Sequence, residues 1–198
     1  MAEQPLDPQR LEALRQSVAS GDPARAMPAL AALREVPPEQ AIPLLLLGLQ
    51  QETFMIRSLS CAGLGYKQSE QGWEALVGAL LHDHDPNVRA EAANALVSHS
   101  VERAWPLLRD AFVANDHWLV RCSILSAMAE LVDVPLAWLL ELARLAIVDA
   151  DGTVRVGGAE ILGRLVAEGS AEARAALVAL QADPDHRVVA AVLNGLQA

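Results

Sequence analysis

Aromatic residues make up only 4% of this 198-residue chain, which is sparse in β-branched residues too. That scarcity argues against a strand-rich fold, because packed sheets draw on those residue types. Lysine occurs once, at Lys67, against fourteen arginines, so no polybasic membrane-binding patch exists. Positive charge is also short overall: the net charge of −10 repels phosphate backbones and excludes an ordinary nucleic-acid binder. Two cysteines, Cys61 and Cys122, are too few for a disulfide framework. The longest apolar run, Ala41 to Leu49, falls far short of the roughly 20 residues that span a bilayer.

What the chain has is alanine (36) and leucine (32), with 53% apolar residues in all. This composition supports a packed core and rules out intrinsic disorder. It predicts an all-α fold, since alanine and leucine are the strongest helix formers. The length suits a single domain over residues 1–198. The opening MAEQPLDPQR is polar and acidic rather than signal-like, so a cytoplasmic location is expected.

One arginine sets a repeat. Arg25, Arg57, Arg89, Arg121, Arg155 and Arg187 are spaced by 32, 32, 32, 34 and 32 residues. Each follows a polar turn such as DPNVR or DGTVR, and small or apolar residues follow at helical spacing. The first helices of the pairs are predicted over 8–19, 39–50, 70–82, 101–114, 136–148 and 171–181. The second helices start just before each arginine, with Asp85, Asp151 and Asp183 placed to accept their free N–H groups. In repeat 3, Val88, Ala92, Ala95 and Leu96 share one helix face, the expected core side. Each register arginine is expected to pair with a turn carboxylate of the adjacent repeat.

The segment Asp85-Pro86-x-Val88-Arg89-x-x-Ala92-Ala93-x-Ala95-Leu96 resembles the short HEAT-like repeat of the phycobilin (PBS) lyases, the cyanobacterial phycobilisome type. The resemblance runs through six units, with Pro28 inside the second helix of repeat 1 and His186 where repeat 6 should carry valine. It implies a right-handed α-solenoid, or superhelix, of about six helix pairs. It also implies work on proteins: either a non-enzymatic scaffold or chaperone-like adaptor, or a subunit of a phycobilin lyase acting on phycobiliproteins. A phycobiliprotein subunit would then be the partner, and a bilin the one cofactor in view. An accessory role in iron–sulfur assembly, using Cys61 or Cys122, is a third reading. Deoxyhypusine hydroxylase, an iron enzyme of HEAT-like repeats, uses His-Glu pairs, and no histidine here precedes a glutamate.

Catalytic groups are otherwise hard to find. His82-Asp83-His84-Asp85 has metal-ligand composition but sits in an inter-helix turn with no partner pair, so no metal site is expected. Cys61 falls on the core face, whereas Cys122, on the opposite face, is the better candidate for a reactive thiol. Phosphate-binding glycine loops and HExxH are both absent. The informative surface is the side of each second helix turned away from the core, which a solenoid would stack on its concave side. There, Phe54, Met55, Leu59 and Tyr66 in repeat 2 and Trp118, Leu119 and Cys122 in repeat 4 form two expected apolar ridges. Glu91, Asn94 and Glu130 supply the polar strip, and Trp73, Trp105 and Trp138 are assigned to packing on first helices. This face is the expected partner-binding site, with no catalytic residues.

Overall fold

The computed structural model describes residues 5–114 and 117–197. Every regular element among them is helical: α1 (Pro8–Ala19), α2 (Pro23–Ala32), α3 (Pro38–Leu49), α4 (Phe54–Tyr66), α5 (Glu70–His82), α6 (Pro86–His99), α7 (Val101–Ala114), α8 (Trp118–Ala129), α9 (Leu136–Ala146), α10 (Gly152–Ala167), α11 (Ala171–Ala179) and α12 (His186–Gln197). A short 3-10 turn, Leu33–Glu35, follows α2. The all-α expectation holds, and four of the six first helices end within one residue of their predicted bounds. The exceptions are α9 and α11, each two residues shorter at the C-terminal end. Helix starts follow local chemistry: Asp85 and Asp151 accept the N–H groups of Asn87 and Thr153, as capping carboxylates do.

The chain gathers into two compact units, Met1–Leu107 and Leu108–Ala198, with the division falling inside α7. In the first, the even helices α2, α4 and α6 pack side by side, and the odd helices back them. The second repeats this pattern with α8, α10 and α12. Each core is aliphatic: Leu45, Ile56, Leu64, Leu76 and Leu96 are fully buried in the first, and Ile124, Met128, Leu139 and Leu142 in the second. Trp73 and Trp105 are buried and Trp138 half-buried, as assigned.

Close backbone approach fixes how adjacent even helices cross. Gly65 lies inside α4, where an added Cβ would sit 3.1 Å from Ala95. Gly163 of α10 meets Gly195 of α12, and an added Cβ would lie 2.9 Å from the partner's Cα. Only glycine leaves that space.

The arginine register is real but misread at the end of the array. Arg57, Arg89, Arg121 and Arg155 are each the fourth residue of their helix. Arg57 donates from Nε and Nη2 to both oxygens of Asp83, at 2.8 and 2.9 Å. Arg155 grips Asp183 in the same way at 2.9 and 3.0 Å, and Arg121 Nη2 donates to Asp149 at 3.0 Å. Each of these carboxylates also accepts an N–H from its own turn, that of Asp85, Asp151 or Asp185. For Arg89, the following turn falls at residues 115 and 116, outside the described residues.

The last turn corrects three expectations. Asp183 is not the helix cap; Asp185 is, accepting from Arg187 N. Counting from that cap, Val188 occupies the valine position filled by Val88 in repeat 3, and both are fully buried. Val189, not Arg187, then stands at the arginine position. The Gly163–Gly195 contact agrees, because Gly195 follows Asp185 by ten residues just as Ala95 follows Asp85. Arg187 is exposed and turns back onto Asp185 of its own turn. Arg25, third in α2, is exposed as well.

A second ladder ties the opposite ends of the even helices. Lys67 Nζ donates to the Arg34 carbonyl at 2.8 Å, and Arg164 Nη1 to the Ala129 carbonyl at 2.8 Å. His99 Nε2 lies 2.9 Å from the Leu64 carbonyl. Each basic side chain sits near the C-terminus of one even helix and reaches the corresponding end of the preceding one, where unpaired carbonyls concentrate negative charge.

Candidate functional site

The exposed face of α4 carries most of the repeat 2 residues singled out from sequence. Phe54 and Met55 open the helix and are more than a third exposed; Leu59 is half-buried one turn further on. Tyr66, at the helix end, is 66% exposed, high for the chain's sole tyrosine. Helical spacing places Met55, Leu59, Ala62 and Tyr66 in one stripe.

Tyr66 is the wall between two adjoining depressions. On the α2 side lies a cleft of about 300 Å³ with Leu30, Leu33, Leu45, Leu59, Tyr66 and the stem of Lys67 among its lining. Its mouth is basic: the Arg34 guanidinium lies 4.8 Å from the centre of the Tyr66 ring, a cation–π distance. On the α6 side lies a groove of about 200 Å³ between α4 and α6, lined by Tyr66, Glu91, Asn94 and Ser98 over Ala62 and Gly65. Glu91 is half-buried there, and desolvation pushes its carboxyl pKa up. The structure therefore brings Leu59, Tyr66, Glu91 and Asn94 together.

The repeat 4 residues form a separate setting in the second unit. Trp118 opens α8, 43% exposed, with its ring stacked against His117 at 6.0 Å. Leu119 is half-buried, and Glu130 caps the C-terminal end of α8 in solvent. Cys122 lines a groove of about 190 Å³ between α8 and α10 with Ser126, Thr153 and Glu160. Neither Phe54 nor Trp118 folds back into a core.

Nothing in these settings activates a nucleophile. Burial raises the Cys61 thiol to about 12, and Cys122 is raised to about 11 by burial, with Asp151 and Asp149 adding to it. Thiols that resist ionisation are poor nucleophiles and poor metal ligands. His82 and His84 are exposed, and Asp83 is committed to Arg57. Among the described residues no group of three or more histidine, cysteine, aspartate or glutamate side chains could hold a metal ion.

Sequence reasoning missed Leu30, Arg34 and Lys67, which build the α2 side of the cleft. Arg34 lies outside the arginine register, and Lys67 stood out only as the chain's single lysine. Lys67 is 4% exposed, its long stem packed along the cleft and its ammonium bonded to the Arg34 carbonyl.

Among the described residues, no helix is long and apolar enough to cross a membrane. The sequence model of the HEAT repeats family matches residues 42–129. The chain is also similar to a subunit in the structure of the complex of CpcE and CpcF of phycocyanin lyase from Nostoc sp. PCC7120. There the identity is 21% over 97% of this chain and 100% of that one, with a TM-score of 0.44. Human deoxyhypusine hydroxylase, solved with glycerol, is 18% identical over 96% of this chain and 95% of its own, also with a TM-score of 0.44. Comparison with curated proteins returns no match. The match to the HEAT repeats family spans part of the chain, residues 42–129, and every regular element among the described residues is helical, arranged in repeated helix pairs with arginine–aspartate rungs.

Proposed function

We propose that the protein is a non-enzymatic, cytoplasmic binding scaffold that holds a partner protein on the face formed by α2, α4 and α6. One observation carries the reading: Tyr66 stands two-thirds exposed between an apolar cleft and a polar groove, on helices fixed by ladders at both ends. Tyrosine in such a setting offers a large contact area at low entropic cost, and such anchors dominate binding energy at about 2 kcal/mol or more when buried centrally. The raised thiol pKa values favour binding over covalent chemistry. The reading requires no cofactor.

The test places a photo-crosslinking phenylalanine analogue at position 66 and, as a control, at Glu172 on α11. A discrete protein adduct from position 66 alone, displaced by excess unmodified protein but not by the Tyr66→Ala variant, is the expected result. Equal adducts from both positions would refute the site. A bilin titration followed by visible absorbance probes the lyase alternative, and a saturable spectral shift would turn the reading toward it.

A further inference from the structure

We infer that the groove between α4 and α6 seats a cationic side chain, an arginine or lysine of a bound polypeptide, held between the Glu91 carboxylate and the Tyr66 ring. The adjacent α2–α4 cleft takes an apolar residue of the same segment. This rests on the scaffold reading and gives its partner a chemistry.

Three observations converge on it. First, Glu91 is half-buried between α4 and α6, and its pKa is raised by desolvation with no cation among the described residues offsetting it. Carboxylates seldom lose their water without a partner. Here the groove stays open, so a partner can arrive from outside.

Second, packing does not force the pair. The groove between α8 and α10 has nearly the same volume, about 190 Å³, and the same place between even helices. Counting from Arg121 and Arg155, the position of Tyr66 is held there by Glu130 and that of Glu91 by Gly157. Of these two grooves, only the one between α4 and α6 joins an aromatic wall to a half-buried acid; the acid of the other, Glu160, is exposed.

Third, charge is split across Tyr66. Arg34 and Lys67 lie on the α2 side, and Glu91 lies on the α6 side. A segment that puts its basic residue over α6 and its apolar residue over α2 meets complementary charge at one site and avoids Arg34 at the other. The reversed order brings two cations together, so the site reads polarity as well as composition.

The probe is a random peptide library displayed on phage and selected on the full chain. Selected peptides are then synthesised and titrated against the wild type and two variants. The expected result is enrichment of an apolar residue next to arginine or lysine. Affinity should fall about tenfold or more with Glu91→Gln, and binding should be lost with Tyr66→Ala. Urea titration checks that both variants remain folded. Peptides without a basic residue that need Tyr66 but ignore Glu91→Gln would overturn the cation seat and leave the scaffold reading standing. Peptides indifferent to Tyr66→Ala, or no enrichment, would overturn both.

Discussion

Replacing Arg57 by alanine removes the best-buried rung among the described residues. Its side chain is 6% exposed and that of its partner Asp83 is 11% exposed. The guanidinium holds both Asp83 oxygens and, through Nη1, the carbonyls of Gln51 and Glu52. Breaking a buried pair from one side costs about 3–5 kcal/mol, because the remaining charge is stranded. Asp83 keeps the Asp85 N–H, and the two carbonyls lie in a turn that water reaches, so the lower part of that range applies. We expect Arg57→Ala to cost about 3 kcal/mol. In urea, with a slope of about 2 kcal/mol per molar, the midpoint falls by about 1.5 M. The fluorescence of Trp73 and Trp105, both buried in the same unit, reports the transition.

Acidity supplies an internal check. Burial alone would raise the Asp83 pKa, but the Arg57 hydrogen bonds and the Asp85 N–H outweigh it, and the net shift is downward. A depressed carboxylate stabilises the fold above its unfolded pKa, about 3.9, and that contribution disappears as pH falls through the folded value. The gap between wild type and Arg57→Ala should therefore be full at pH 7 and narrow below about pH 4. Arg187→Ala is the control: its side chain is 55% exposed and pairs within its own turn, so it should leave the urea midpoint almost unchanged. Equal losses from the two substitutions would refute the assignment of rungs.

Three further outcomes follow from packing and exposure. Gly163→Ala drives a methyl into the Gly195 backbone and should lower stability by about 1–3 kcal/mol, visible as an earlier thermal transition. In a thiol-reagent titration at pH 7, Cys122 should react slowly and Cys61 only after denaturant is added, given pKa values of about 11 and 12; prompt labelling of Cys61 would contradict its burial. Trp118→Ala, at a side chain 43% exposed, should move the melting temperature by no more than about 2 °C; unfolding of the variant would place Trp118 in a core.

The repeat was legible because Arg57, Arg121 and Arg155 do the same physical job, and Arg89 shares their helix position, which holds residue type and spacing together. Arg187 broke the inference: it keeps the spacing of 32 but not the job, since the last turn is two residues shorter between aspartate and arginine. The second ladder left no trace in the sequence, because lysine, histidine and arginine fill the same role in different repeats. Phe54, Tyr66 and Trp118 were correctly read as exposed, since a periodic core leaves the opposite face predictable. The convergence of Tyr66 with Arg34 on one side and Glu91 on the other depends on how three helices lie together, which no single helix encodes.

The offset in the final turn also tells an engineer where to cut. Modules exchanged at the arginines would splice α12 two residues out of phase, placing Arg187 where Val189 stands and moving Gly195 off its glycine partner. Cutting instead at the capping aspartates, Asp85, Asp151 and Asp185, preserves both the cap and the ten-residue reach to the crossing point. In grafting, shuffling or lengthening such an array, the aspartate is the joint, and the arginine is a fitting that a terminal unit can do without.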